Sequence, residues 1–385
     1  MWRYLFDVET IMYLDTIFIG FGLIAGQKPI SGGQMEKTAY TTADIQKIFR
    51  VEEKYKSPLS VLNAEERGEI PKASRIQRGK TSVRQWQTNQ LPDIGKKFGF
   101  LGNCKEQQIL NVFLSKGGVG KSSFCFNLAR TLAISSVKKQ SAEQSKILII
   151  GLDLQGTITD YTLPPINVES LEDAQATERA GLYEVLFENV PLEDVILPTD
   201  LPNLFIIPEN SSLNSLEKTL RFQTRKEYFF KDKLLPKLQE FSVILFDNSP
   251  NWNALIENSL VCATTVISPI GCELGSYQAL KNHTTNIQDF AEAVQVEWDN
   301  YFLVPQFLEK SKISQQIYGS YLNQYPENVL PTPIRRSATA QEALTLRKGI
   351  LEYAPTSPLA DDYYEAIKTL WEKVLASEVV NVVEA

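Results

Sequence analysis

Residues 109–134 constrain this chain more than any other stretch. Ile109-Leu-Asn-Val-Phe-Leu114 reads as a buried strand, Ser115-Lys-Gly-Gly-Val-Gly-Lys-Ser-Ser123 as a glycine-rich loop, and Phe124 to Ala133 has helical spacing. A strand that turns through glycines straight into a helix aims the first N–H groups of that helix at one point, which suits an anion. Gly117, Gly118 and Gly120 let backbone N–H groups curl around phosphate oxygens where a side chain would block the approach. Val119, Ser122 and Ser123 complete the loop and the helix start. Lys121 supplies a point charge for β- and γ-phosphates, and the Ser122 hydroxyl suits a Mg²⁺ ion that keeps waters and phosphate oxygens as its other ligands. The pattern GxxxxGK[ST] fails at its first position, Ser115, whereas KGGxGK[ST] holds in full.

Two further apolar runs end in carboxylates. Lys146-Ile-Leu-Ile-Ile-Gly-Leu-Asp153 is followed by Leu154-Gln-Gly-Thr157, and Phe241-Ser-Val-Ile-Leu-Phe-Asp247 by Asn248-Ser-Pro250. Further strand-like runs lie near 204, 265 and 302, separated by helical stretches. The expected fold class is therefore α/β, a mostly parallel sheet with covering helices, which binds ligands at the carboxyl ends of its strands. The glycine loop, Asp153 and Asp247 all fall at such ends.

Several function classes drop out. The four cysteines (Cys104, Cys125, Cys262, Cys272) are scattered, and His283 is the single histidine. A Cys/His zinc site, a disulfide framework and a Ser-His-Asp triad are excluded, and a reducing, cytoplasmic compartment fits. Residues 1–34 are read as an extension that is not native, with the start at Met35 after Ser31-Gly-Gly-Gln. Thr16 to Ala25 is about half as long as the roughly 20 residues of a spanning helix, and acidic residues precede it.

The net charge of -7 hides an asymmetry. Residues 36–100 hold 13 Lys and Arg against 8 Asp and Glu. A helix is expected from Tyr40 to Phe49 behind a Thr cap, and another around Pro58 to Glu66. Arg75, Arg78, Lys80 and Arg84 then surround Gly79, with Trp86 close by, as a wing that reaches DNA phosphates requires.

The KGGVGKS loop resembles that of the deviant Walker A ATPases, which include the ParA partition ATPases, the MinD division-site ATPases and the nitrogenase iron protein. The resemblance implies that Lys116 reaches the partner's phosphates across a nucleotide-sandwich dimer, that Asp153 positions the attacking water in a D-L-Q-G-T version of switch I, and that Asp247 acts as Walker B. Lys116, Lys121 and Asp153 are then catalytic. Ser122 holds Mg²⁺ directly, Asp153 and Asp247 indirectly. Asn248-Ser-Pro250 departs from the family pattern and predicts a less stiff switch II turn. Residues 334–343 and 352–364 are similar to the C-terminal part of ParA proteins, which implies nonspecific DNA binding through Arg335 and Arg336, with Lys310, Lys312, Arg347 and Lys348 extending the patch. Residues 36–101 resemble the winged helix-turn-helix modules fused to some partition ATPases, in Arg84-Gln-Trp-Gln87 and Leu91-Pro-Asp-Ile-Gly95. The expected domains are a helix-turn-helix-like module at 36–101, the ATPase at 105–377 and a tail at 378–385.

Together these imply a ParA-type ATPase with ATP and Mg²⁺ as cofactors. Its expected partners are a second copy (ATP-dependent), DNA (nonspecific, with an operator as a further target) and a ParB-like or cargo-adaptor protein. It is expected to be cytoplasmic and nucleoid-associated, moving a cargo such as a plasmid. The alternatives are a transcriptional regulator with a sensory or structural nucleotide site, and a MinD-like ATPase. The latter needs a basic amphipathic C-terminus, whereas residues 377–385 are apolar and acidic. The cysteine positions do not match those of an iron–sulfur reductase.

Overall fold

A computed structural model describes residues 39–383 apart from 56, 58, 80 and 166–178. The extension at 1–34, the proposed start at Met35 and Lys80 lie outside the described residues.

Among the described residues, ten strands form two sheets. Ala39–Thr41 (β1), Ser74–Arg78 (β2) and Thr81–Gln87 (β3) make an antiparallel sheet in the order β1-β3-β2. Gln108–Val112 (β4), Ile147–Leu152 (β5), Leu197–Pro198 (β6), Leu204–Ile207 (β7), Val243–Asn248 (β8), Thr265–Gly271 (β9) and Asn300–Gln306 (β10) make the large sheet, ordered β10-β9-β4-β8-β5-β7-β6. Every pairing in it is parallel except β6 with β7. β4, β5, β8 and β9 are buried along their whole length. That burial explains why they read as continuous apolar runs: helices cover both faces of a parallel sheet, so neither face faces water. All six expected strands are present. The two-residue β6 was not expected.

Two glycines at the loop and one after β5 take left-handed backbone, with φ of +70° at Gly118, +82° at Gly120 and +68° at Gly156. Each stands just before a helix, Lys121–Ile134 or Thr157–Thr162, and allows the sharp entry that aims the helix at the loop.

The N-terminal piece carries helices Thr42–Ile48, Val51–Lys54, Ser60–Glu66 and Leu91–Phe98 beside the small sheet. Thr41 caps the first in a capping box with Asp44. Trp86 is completely buried opposite Tyr40, its Nε1–H donating to the Pro71 carbonyl at 2.7 Å, so it belongs to the core and not to a DNA-facing surface. The expected boundary at residues 101–105 does not separate two cores. Trp86, Leu91, Ile94 and Phe98 share one apolar cluster with Leu110, Leu128, Leu132 and Trp371. The Leu91–Phe98 helix sits so close to the end of the Lys121–Ile134 helix that a Cβ on Gly95 would lie 1.7 Å from the Ile134 carbonyl oxygen. Polar ties cross the same seam: Arg50 to Asp361 at 2.6 Å, Tyr364 Oη–H to Glu53 at 2.7 Å, and Trp371 Nε1–H to the Gly102 carbonyl at 2.7 Å.

The expected tail at 378–385 is also corrected. The last helix, Pro358–Val383, runs through residue 378, and the Glu378 carboxylate accepts from the backbone N–H of Lys105 and Glu106 and from Gln108 Nε2. Among the described residues no helix is long and apolar enough to cross a membrane, and no group of three or more His, Cys, Asp or Glu is placed to hold a metal ion alone. All four cysteines are free and buried.

Candidate functional site

The carboxyl ends of β4, β5 and β8 converge on a cavity of about 500 Å³, lined by Gly117 to Ser123, Asp153, Gln155, Thr157, Tyr161, Pro250, Phe307 and Gln341. The loop residues singled out from sequence thus come together with Asp153. Asp247 lies behind them, fully buried at the end of β8.

The electrostatics mark the site. Lys121 is buried, its Nζ donating to the Lys116 carbonyl at 2.9 Å. Burial lowers its pKa, while Asp247 and Asp153 hold it up. Among the described residues, neither carboxylate oxygen of Asp247 has a formed hydrogen bond. Burial pushes Asp247 up to about 7. The Ser122 hydroxyl, near but not in good hydrogen-bond geometry, and Lys121 pull it down, and Asp153 adds repulsion. A fully buried carboxylate with two empty oxygens is costly unless a cation or a proton completes it. The donor set of Ser122, Asp247 and Asp153 therefore fits a hard divalent cation such as Mg²⁺, held through oxygen atoms and its own waters. Asp153 Oδ1 accepts from the Gln155 N–H at 3.1 Å, which closes the turn into Gly156.

Asn248, which opens the Asn248-Ser-Pro250 turn, is itself held by buried side-chain bonds. Asn248 Nδ2 donates to Asn111 Oδ1 at 3.2 Å and to the Val112 carbonyl at 3.3 Å, and Asn248 Oδ1 accepts from Ser259 Oγ at 2.9 Å.

Lys116 points away from the loop of its own chain. Its Nζ meets Glu273 Oε1 at 2.7 Å and Ser276 Oγ at 2.9 Å. Ser115, the residue that breaks the strict pattern, is fixed by His283, a contact sequence reasoning missed. The Ser115 backbone N–H donates to His283 Nδ1 at 3.3 Å, and Ser115 Oγ lies 3.2 Å from the same nitrogen. That assigns the ring proton to Nε2, which then donates to Ser268 Oγ at 3.0 Å, whose own proton goes to the Phe113 carbonyl at 2.7 Å. Burial, with a smaller push from Lys121, lowers His283 to about 3, so it stays neutral.

The expected DNA contacts divide. Arg75 is exposed on β2 and stands opposite Arg84 on β3. Arg84 is half-buried and held by Glu65 at 2.7 Å. Arg78 flanks the turn at Gly79, where φ is +61°. Arg335 forms a two-pronged pair with Asp362, at 2.6 and 2.7 Å. Arg336 stacks on Phe307 at 4.7 Å and pairs with Glu309 at 2.7 Å. Lys348 does not extend a patch: it is buried and bonded to Asp200 at 2.6 Å and Thr88 at 3.1 Å.

A parallel sheet whose glycine loop and two carboxylate-ended strands meet at the carboxyl end of its central strands defines a P-loop nucleotide-binding fold. More narrowly, the chain belongs to the AAA_31 family (AAA domain), whose model matches residues 107–299, and it is a homologue of the ParA-type partition ATPases. The cell division protein PomZ of Myxococcus xanthus is 27% identical over 266 residues, 69% of this chain and 78% of PomZ. The chromosome partitioning protein ParA of the same organism is 25% identical over 257 residues, 66% of this chain and 85% of that protein. In fold, a Cyanothece McdA variant solved as an ATP complex is similar with a TM-score of 0.56 at 19% identity, covering 71% of this chain and 98% of its own.

Proposed function

We propose that this protein is a ParA-type positioning ATPase that cycles between an open form and an ATP-bound homodimer on DNA. The observation that carries the reading is the convergence of the Gly117–Ser123 loop and Asp153 on one cavity, with the buried Asp247, which has no hydrogen-bond partner among the described residues, behind Ser122 and Lys121. The relatives named above carry the words partitioning and division.

The proposed roles are those that the resemblance to the partition ATPases implies, placed on the residues described above. The loop N–H groups and Lys121 bind the triphosphate. Ser122 directly, and Asp153 and Asp247 through water, would hold a Mg²⁺ ion, which would supply neutralisation of phosphate charge. Asp247 orients the water shell there, and Asp153, at the start of its tight turn, orients the attacking water. Lys116 sits on the outer side of its own loop, tethered to Glu273, and is available to the phosphates of a second copy once that tether breaks. The γ-phosphate then holds the dimer shut, and hydrolysis releases it. Hydrolysis is slow until a ParB-like or adaptor protein bound to a cargo such as a plasmid stimulates it. Arg336 meets nonspecific DNA while Arg335 stays paired with Asp362, and the module expected at residues 36–101, with Arg75, Arg78 and Arg84 on a hairpin, forms a second DNA-binding piece that contacts an operator. Such a protein resides in the cytoplasm on the nucleoid.

The test is binding to random-sequence DNA without nucleotide, with ADP, and with ATP plus Mg²⁺. Binding that needs ATP and coincides with a shift from monomer to dimer is expected. Lys121→Ala abolishes ATP binding, and Asp153→Ala traps ATP-bound dimers on DNA. DNA binding that is confined to the protein's own upstream region and indifferent to ATP refutes the proposal in favour of a transcriptional regulator, a reading that the exposed hairpin arginine Arg75 also fits.

A further inference from the structure

A third carboxyl group lies at the same end of the sheet and belongs to no motif. β7 ends at Ile207, and Glu209 follows two residues later, 8% exposed. Its Oε2 accepts from the Thr159 backbone N–H at 3.0 Å and from Thr159 Oγ1, which in turn accepts from the Glu209 N–H at 3.0 Å. Thr159 stands in the first turn of the Thr157–Thr162 helix, which begins directly after Asp153-Leu-Gln-Gly156. One half of the Glu209 carboxyl group thus clamps the switch I segment.

The other half is unused. Oε1 is buried and has no hydrogen-bond partner among the described residues. The side chain crosses Gly151 on β5 so closely that a Cβ there would lie 2.5 Å from Glu209 Cγ and Cδ and 2.8 Å from Oε1. Gly151 is in register with Asp247 on β8. In-register residues of neighbouring parallel strands face the same side of the sheet, about 4.8 Å apart. Oε1 therefore lies on the face of the sheet that Asp247 also faces, over the neighbouring strand, and glycine at 151 is what makes room for the approach.

We propose that Glu209 is a positioning residue of the Mg²⁺–nucleotide site, an inference that rests on the ATPase reading above. Oε2 holds switch I through Thr159, and Oε1 accepts a hydrogen bond from the water shell of the cation beside Asp247. Glu209 thereby ties the cation to the segment that carries Asp153.

The experiment follows binding of a fluorescent ATP analogue as Mg²⁺ is titrated, with no turnover required. Glu209→Gln retains an oxygen for Thr159 and replaces the other by an amide. Its half-saturating Mg²⁺ concentration is expected to rise roughly tenfold, the low end for loss of an outer-shell partner, while nucleotide affinity in EDTA stays at the wild-type value. Gly151→Ala leaves Glu209 in place chemically but fills its path, and is expected to raise the same concentration. If wild-type protein binds nucleotide and both variants keep its Mg²⁺ dependence, the inference is wrong and the ATPase reading stands. If wild-type protein binds no nucleotide with Mg²⁺, the ATPase reading itself falls.

Discussion

Arg130→Met is expected to cost about 3–5 kcal/mol, the range for breaking a buried ion pair by removing one partner. Arg130 and Glu352 are each 1% exposed at the side chain and joined by two bonds, at 2.6 and 2.7 Å. Arg130 also meets Asp200 at 2.7 and 3.1 Å, and Asp200 is shared with Lys348. The four side chains are charge-neutral together. Burial alone would raise Asp200, but Arg130 and then Lys348 outweigh it and bring it down to about 2. Without Arg130, Asp200 still has Lys348, whereas Glu352 has only the Gly349 N–H at 3.2 Å. The loss therefore concentrates on one uncompensated carboxylate. Glu352→Gln in the same chain removes that charge, so the double variant should recover about half of the loss or more, a coupling of roughly 2 kcal/mol. Urea unfolding followed by fluorescence reads this as a midpoint lowered by on the order of 1 M for the single variant at unchanged slope. A loss under about 1 kcal/mol, or a double variant that merely adds the two single effects, would refute the reasoning.

Three other outcomes are expected. Gly95→Ala drives a Cβ into the Ile134 carbonyl and should destabilise the whole unit by about 1–3 kcal/mol or more in one transition; a separate early transition for residues 38–101 would contradict the shared core. His283 has a folded pKa near 3 against an ordinary 6.5, so between those pH values the unfolded chain binds a proton that the native one does not. Stability from this group is present above pH 6.5 and falls toward pH 3, by at most about 1.4 kcal/mol per pH unit; His283→Gln should lose that slope in unfolding measured across the range, and a parallel pH curve counts against it. In salt titrations of nonspecific DNA binding, Arg336→Ala should lower the slope by about 0.9 per lost phosphate contact. Its partner Glu309 is half exposed and easily exchanged for a phosphate, whereas freeing Arg335 would strand the buried Asp362, so Arg335→Ala should leave the slope unchanged.

The six parallel strands and the loop were legible because burial on both faces writes itself as unbroken apolar runs, and phosphate binding as glycines ahead of a helix. Short edge pieces were not: β6 has two residues and β1 three, too few for any periodicity. The boundary at 101–105 misled because the change in charge there is a surface property, while the core beneath runs through Ile94, Leu132 and Trp371. Trp86 shares a face of β3 with Arg84, two residues before it, and is buried all the same, because β1 pairs with that end of the strand and Tyr40 lies opposite. Glu209 did carry a signal. Leu204-Phe-Ile-Ile207 followed by Pro208-Glu209 repeats the apolar-strand-then-carboxylate pattern of Asp153 and Asp247. Its clamp on Thr159 comes from chain 50 residues away, as the Ser115–His283 contact comes from chain 168 residues away, and no local pattern encodes either.

The glycine seat at residue 95 has a consequence for inheritance. The first helices are not a bead strung before an engine, to be gained or shed at a linker. Cutting the chain at residue 104 would strip the cover from Ile134 and Trp371 and leave Lys348, Asp361 and Tyr364 without Thr88, Arg50 and Glu53. A relative that lacks these helices must carry different side chains at those five positions, so the two parts of the gene change together or not at all.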